Sequence, residues 1–227
     1  MGRLVEKEEL RDKFQVFSDR SEAGRKLAEF LEEKGIRGDI VLAIPNGGVA
    51  VGAEVALGLE VELRVAVVRK LVFPWNPEAG FGALSWTGEL IVDERIKEYL
   101  TEEEYEYSLR RAERSVRERE KLFKDFLPPE TLEGMRVILV DDGLATGYTM
   151  LVAVRSVKGL RARKVVVAVP TSPRSAVEML LKEVDTIAVL NLRSTIPFAV
   201  ADAYKFWRDL SEMEILNILL SLRNLGL

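Results

Sequence analysis

The chain contains no cysteine and no histidine. The first absence removes disulfides, thiol nucleophiles and thiolate metal sites. The second removes serine–histidine relays and nearly every zinc enzyme. Any chemistry has to run on carboxylates, lysines, hydroxyls and backbone dipoles. No apolar run approaches the ~20 residues of a membrane-spanning helix, and MGRLVEKEEL at the N-terminus lacks the apolar stretch of a secretion signal. The expected location is therefore cytoplasmic, with no membrane partner. Charge of one sign is not in excess: 33 Lys and Arg against 37 Asp and Glu leave a net charge of −4. That balance argues against a surface built to coat nucleic acid. What is present is 227 residues, 48% of them hydrophobic, enough chain to bury a core without covalent staples.

The hydrophobic pattern alternates between two periods. Asp19 and Glu22 form a capping-box pattern ahead of Leu27, Phe30 and Leu31 at helical spacing, and Gly35 ends that segment. Residues 39–44 are an almost unbroken apolar run, as a strand covered on both faces requires. The run stops at Pro45-Asn46-Gly47-Gly48. A helix over 49–59 and a strand over 61–68 complete a βαβ unit. From 69 to 88 the composition turns to Pro, Gly, Trp and Asn, which predicts a functional loop or lid, with a small hairpin within 81–92. Thr101 and Glu104 make a second capping box. The helix after it carries one apolar stripe through Tyr105, Leu109, Val116 and Phe123. Such a stripe suits a homodimer seam or packing on its own domain equally well.

Alternation resumes with a strand at 136–140, a loop at 141–148, a helix at 149–160, strands at 164–169 and 186–190, and a helix between them at 173–182. The predicted fold is α/β: a parallel sheet flanked by helices in a single domain spanning 1–227. Residues 69–134 form an insertion, and hood elements occupy 191–227. Ligands on such sheets bind at the carboxyl ends of the strands.

The most informative stretch follows the 136–140 strand. Asp141 and Asp142 emerge where a buried strand ends, and Gly143-Leu144-Ala145-Thr146-Gly147-Tyr148-Thr149 then feeds a helix N-terminus. Backbone N–H groups of such a loop converge on an anion, the helix dipole favours negative charge, and threonine hydroxyls add donors. The carboxylates accept hydrogen bonds from vicinal hydroxyls, so a sugar phosphate satisfies both ends. Tyr148 stands where a nucleotide-triphosphate loop would carry lysine, and G-x-G-x-x-G is missing, so neither NTP nor NAD is favoured.

In Asp141, Asp142, Thr146, Gly147 and Thr149 the chain resembles the type I phosphoribosyltransferases, especially the bacterial and archaeal branch with unassigned substrates. Pro45-Asn46-Gly47-Gly48, Val68-Arg69-Lys70, Asn76-Pro77-Glu78, Phe81-Gly82-Ala83 and Pro197-Phe198 extend the likeness over roughly residues 15–220. The resemblance implies a Rossmann-like core and transfer of ribose 5-phosphate from phosphoribosyl pyrophosphate (PRPP) to a nitrogenous base, in nucleotide salvage or synthesis. Asp141 and Asp142 would hold the ribose hydroxyls and residues 145–149 the 5-phosphate. Asn46, Gly47 and Gly48 would approach the pyrophosphate, with Arg69 and Lys70 as its cations. Mg2+ would arrive with PRPP and meet the aspartates through water. Glu78 is the candidate for moving a proton on the base, and Trp75, Trp86, Phe198 and Tyr204 are candidates to stack on it.

Two positions depart from the family pattern. Asn46 stands where relatives often carry a cation, and Ala145 replaces the aspartate of 6-oxopurine enzymes. A non-catalytic regulator that binds PRPP or a nucleotide is the alternative reading; a phosphotransfer receiver is more distant, because the Thr-Gly-x-Thr loop has no role there.

Overall fold

The computed structural model describes residues 2–195 and 197–227, with the side chains of Pro77 and Glu78 excluded. Six parallel strands, β1 (Arg3–Glu6), β2 (Ile40–Ala43), β3 (Glu62–Val65), β7 (Arg136–Val140), β8 (Lys164–Pro173) and β9 (Thr186–Arg193), form one sheet in the order β1-β9-β8-β7-β2-β3. Helices α1 (Arg20–Glu33) and α2 (Gly47–Leu59) cover one face; α5 (Tyr148–Gly159) and α6 (Arg174–Leu180) cover the other. The period-2 alternation of strands sorts their residues between these two cores. Val41, Ala43, Ile138 and Val140 point to one, and Ile40, Leu42, Val137 and Leu139 to the other. Both faces being covered is why the strands read as unbroken apolar runs.

The short edge strand β1, which pairs with β9, is absent from the expected elements. Its sequence, RLVE, carries one buried side chain, Val5, and so lacks the apolar signature of the inner strands. The run at 61–68 is not one strand. β3 ends at Val65, and Val68 already belongs to a separate antiparallel sheet of β4 (Val68–Phe73), β5 (Asn76–Ser85) and β6 (Leu90–Val92). The predicted hairpin is its β5–β6 pair, but the expected loop at 69–88 is mostly strand. Turn-forming residues mislead here because Gly80 and Gly82 sit inside β5, where a side chain on Gly82 would strike the backbone of Ile91.

This small sheet is clamped on both faces. Ser156 of α5 donates to Ser85 Oγ at 2.7 Å, and Thr87 Oγ1 donates to Ser156 at 2.9 Å. The short α3 (Glu94–Lys97) follows β6. On the other face lies α4 (Glu102–Leu122), started by the Thr101–Glu104 capping box. Its buried Ala112 and Val116 pack inward, and Ser108 Oγ donates to Val72 O at 2.8 Å. The apolar stripe of α4 is thus covered by its own domain.

β9 runs on to Arg193, and α7 (Glu212–Asn224) packs on α2. The segment between them, with a 3-10 turn at Val200–Ala203, bridges to the N-terminal segment at Phe17–Tyr204. Among the described residues no helix is long and apolar enough to cross a membrane.

Candidate active site

β2 and β7 are adjacent and parallel, with Ala43 opposite Val140. From this pair the chain proceeds outward in both directions, β2 to β3 on one side and β7 to β8 on the other. The loops leaving β2 and β7 therefore diverge and open a crevice at the carboxyl end of the sheet. Pro45-Asn46-Gly47-Gly48 leaves one strand and Asp141-Asp142 the other. They meet so closely that a Cβ on Gly47 would overlap the Asp142 carboxylate, and one on Gly48 would lie 2.9 Å from Asp141 Cα. Glycine at both positions is what lets the two loops touch. The Pro45–Asn46 peptide is cis.

The acidic pair is held in two different ways. Asp142 Oδ2 accepts from Arg20 Nε at 2.7 Å, and its backbone carbonyl accepts from the Tyr204 hydroxyl at 2.6 Å. Arg20 is buried, donates to Arg208 O at 2.7 Å, and lies 3.9 Å above the Trp207 ring. Asp141 forms no ion pair among the described residues; its Oδ1 accepts the Asp142 N–H at 2.8 Å. Desolvation, reinforced by the neighbouring Asp142 charge, pushes the Asp141 carboxyl well above the usual carboxylate range.

Between the ordinary carboxylate value and the raised one, the unfolded chain has lost this proton while the folded protein keeps it, so the group's contribution to stability falls as pH rises through that window. A ligand whose hydroxyls donate to Asp141 favours its ionised form. Within that pH window, a bound ligand with vicinal hydroxyls is expected to release a proton from the wild-type protein that Asp141→Asn does not release. Calorimetry in buffers of different ionisation enthalpy measures this, and equal release by both proteins would contradict it.

The loop after the pair is anchored at each end. Leu144 is buried and its N–H donates to Thr171 O at 3.0 Å, so it supplies an anchor and no donor to a ligand. A Cβ on Gly143 would approach Val200 Cγ1 to 2.5 Å. Gly147 caps α5 at φ +86°, a left-handed value that favours glycine. Tyr148 turns away from the crevice and donates to Asp93 Oδ2 at 2.7 Å, tying the loop to the small sheet. Ala145 and Thr146 are exposed, and the N–H groups of Ala145, Thr146 and Gly147 have no protein acceptor among the described residues. Three N–H groups without protein acceptors at a helix N-terminus are a geometry that can receive an anion.

Two cavities flank the aspartates and share them, together with Lys70 and Thr149. One, of about 250 Å³, is bounded by residues 143–147, Val200 and Trp207. The other, of about 540 Å³, is bounded by Asn46, Gly47, Arg69 and the inner side of α4. Of the residues predicted for the sugar phosphate, the diphosphate and proton transfer, all but three line these cavities. Tyr148 is directed elsewhere, Gly48 serves as a spacer behind Asp141, and the Glu78 side chain lies outside the described residues.

The chain from 86 to 203 matches the family profile described as the phosphoribosyl transferase domain. The chain belongs to the phosphoribosyl transferase family. It is 33% identical over 214 residues to a Mycobacterium tuberculosis protein named "Putative phosphoribosyl transferase Rv0571c", covering 90% of this chain and 46% of that one. The chain therefore spans about half the length of the curated relatives it matches. Among solved structures it is similar to TT1426 from Thermus thermophilus, at 36% identity and a TM-score of 0.71, covering 91% of this chain and 99% of that one.

Other residues of this phosphoribosyl transferase site are missing from the sequence-based candidates. Arg20 left one faint signal: a cation in the first turn of a helix opposes the helix dipole and calls for a separate reason. Arg119 left none. It donates to Asn46 Oδ1 at 2.6 Å, while Asn46 Nδ2 donates to Leu210 O at 2.7 Å. A guanidinium thus stands behind the asparagine that, in sequence, deprives the loop of charge. The stacking candidates are displaced. Tyr204 is buried beneath Asp142, Trp75 packs on Phe73, Trp86 joins the insertion core and Phe198 lies near Arg193. The ring that borders the cavity is Trp207.

Proposed function

We propose that the protein transfers the ribose 5-phosphate of PRPP to a nitrogenous base with release of pyrophosphate. The observation that carries this reading is the order of groups along the crevice: an anion nest, then a carboxylate pair, then a cation-lined cavity. PRPP has the same order of phosphate, vicinal hydroxyls and diphosphate. Residues 145–147 and Thr149 would receive the 5-phosphate, and Asp141 and Asp142 the ribose hydroxyls. Arg69 and Lys70, which line the larger cavity, would face the diphosphate.

The bond between C1 and the diphosphate oxygen breaks with its electron pair leaving on diphosphate, and a ring nitrogen of the base supplies the pair for the new bond. Catalysis of this step is largely positioning, with fixed cations receiving the negative charge as it develops. The base would enter on the Trp207 side, opposite the leaving group, and lie against that indole.

Magnesium fits the site as a companion of the ligand. Among the described residues no group of three or more carboxylates could hold a metal, and Asp142 Oδ2 is already engaged by Arg20. Asp141 and Asp142 would reach the ion through water, and the ion itself would neutralise diphosphate charge. Incubation with magnesium, PRPP and a panel of purines and pyrimidines, followed by pyrophosphate assay, tests the function. Release with at least one base is expected. PRPP binding with no release across the panel would favour the regulator, whose main support, a loop without a cation, is weakened by the Arg119–Asn46 contact.

A further inference from the structure

We propose that the inner face of α4 forms the far wall of the diphosphate site, with Arg111 and Arg114 contacting the departing diphosphate opposite Arg69 and Lys70. The inference rests on the phosphoribosyl reading of the crevice and extends it to a helix outside both the acidic pair and the phosphate loop.

The arginines of α4 fall into two sets. Arg110 and Arg117 are paired one turn back, with Glu106 at 2.6 Å and Glu113 at 3.8 Å. These are ordinary i,i+4 pairs. Arg111 and Arg114 have no hydrogen bond or ion pair among the described residues, and both border the larger cavity. A helix rich in glutamate has left unpaired the two arginines that face the crevice.

Across the cavity the situation is the same. Arg69 is half-buried with no ion pair among the described residues, and desolvation, then the positive charge of Arg119, partly offset by Glu212, then that of Arg111, make its guanidinium easier to deprotonate than usual. Cations that feel one another in a partly desolvated cleft raise the free energy of the empty protein. Among the described residues, the only acidic group lining the cavity besides the two aspartates is Glu118. A multiply charged anion between the two walls relieves this repulsion, and a diphosphate leaving group has that charge. The wall is fixed from both ends of its cleft face: Ser108 is bonded to Val72 O and Arg119 to Asn46. The helix that carries Arg111 and Arg114 is therefore held in place beside the cavity.

Calorimetric titration of the full chain with inorganic pyrophosphate and, separately, ribose 5-phosphate tests the wall. Arg111 and Arg114 are exposed, so Arg111→Gln with Arg114→Gln leaves packing intact. This pair should lose at least about tenfold in pyrophosphate affinity, with ribose 5-phosphate affinity unchanged. The outer pair, Arg110→Gln with Arg117→Gln, should bind both ligands as wild type does. Unchanged pyrophosphate affinity in the inner variant, or an equal loss in the outer one, overturns the wall while ribose 5-phosphate binding leaves the phosphoribosyl reading standing. Pyrophosphate binding that depends on the inner pair, with no ribose 5-phosphate binding by wild type, keeps the wall and removes that reading. A wild-type protein that binds neither ligand removes both.

Discussion

Arg20→Met is expected to destabilise the unliganded protein by about 3 kcal/mol, at the low end of the cost of leaving one partner of a buried ion pair unpaired. The Arg20 and Asp142 side chains are only 9% and 15% exposed, so water replaces little of the lost contact. Methionine keeps most of the apolar stem that lies on Trp207 while removing the charge. For a chain of this size the melting temperature should fall by roughly 6–12 °C. Adding Asp142→Asn should restore much of the loss, because the uncompensated carboxylate is then gone. Urea denaturation of the two single variants and the double variant gives the cycle. An Arg20→Met protein within about 1 kcal/mol of wild type, or a double variant no better than the single, would show that the pair does not hold the crevice together.

This ion pair also shows where sequence reasoning stops. The acidic pair and the phosphate loop are legible because their geometry is local. A strand end, two carboxylates and a glycine-bearing turn into a helix occupy consecutive positions, and each residue type has one physical use there. The parallel core is legible because strands covered on both faces must be continuously apolar. Arg20 and Asp142 are brought together only by the stacking of α1 beside the β7 loop, and nothing in the local pattern around Arg20 points 122 residues down the chain. Arg119 is hidden for the same reason, in a helix whose many charges all read alike until the fold divides them into an outer and an inner set. The small antiparallel sheet reads as a loop because its glycines are there for close backbone packing, and composition alone does not separate that use from a turn.

Gly47→Ala is expected to abolish most ribose 5-phosphate binding, by about tenfold to a hundredfold, while leaving the protein folded. The added methyl group would lie 2.6 Å from Asp142 Cγ and 2.8 Å from Arg20 Nε, so the carboxylate and the guanidinium that fixes it must both give way. Overpacking of this kind costs about 1–3 kcal/mol, and here the displaced atoms are those that would receive the sugar. Gly159→Ala is the matched control. A Cβ there meets nothing within 4 Å, and the change should leave binding unaltered and stability unchanged or raised by about 0.4–1 kcal/mol. Steric and chemical effects separate in the double variant Gly47→Ala with Asp142→Gly, which makes room for the methyl group but has no carboxylate. It should recover none of the ribose 5-phosphate affinity, and its stability should stay below that of wild type because Arg20 is left buried without its carboxylate. If Gly47→Ala bound ribose 5-phosphate as wild type does, the contact between the two loops would have no part in sugar recognition, and the site would have to be built without Asp142.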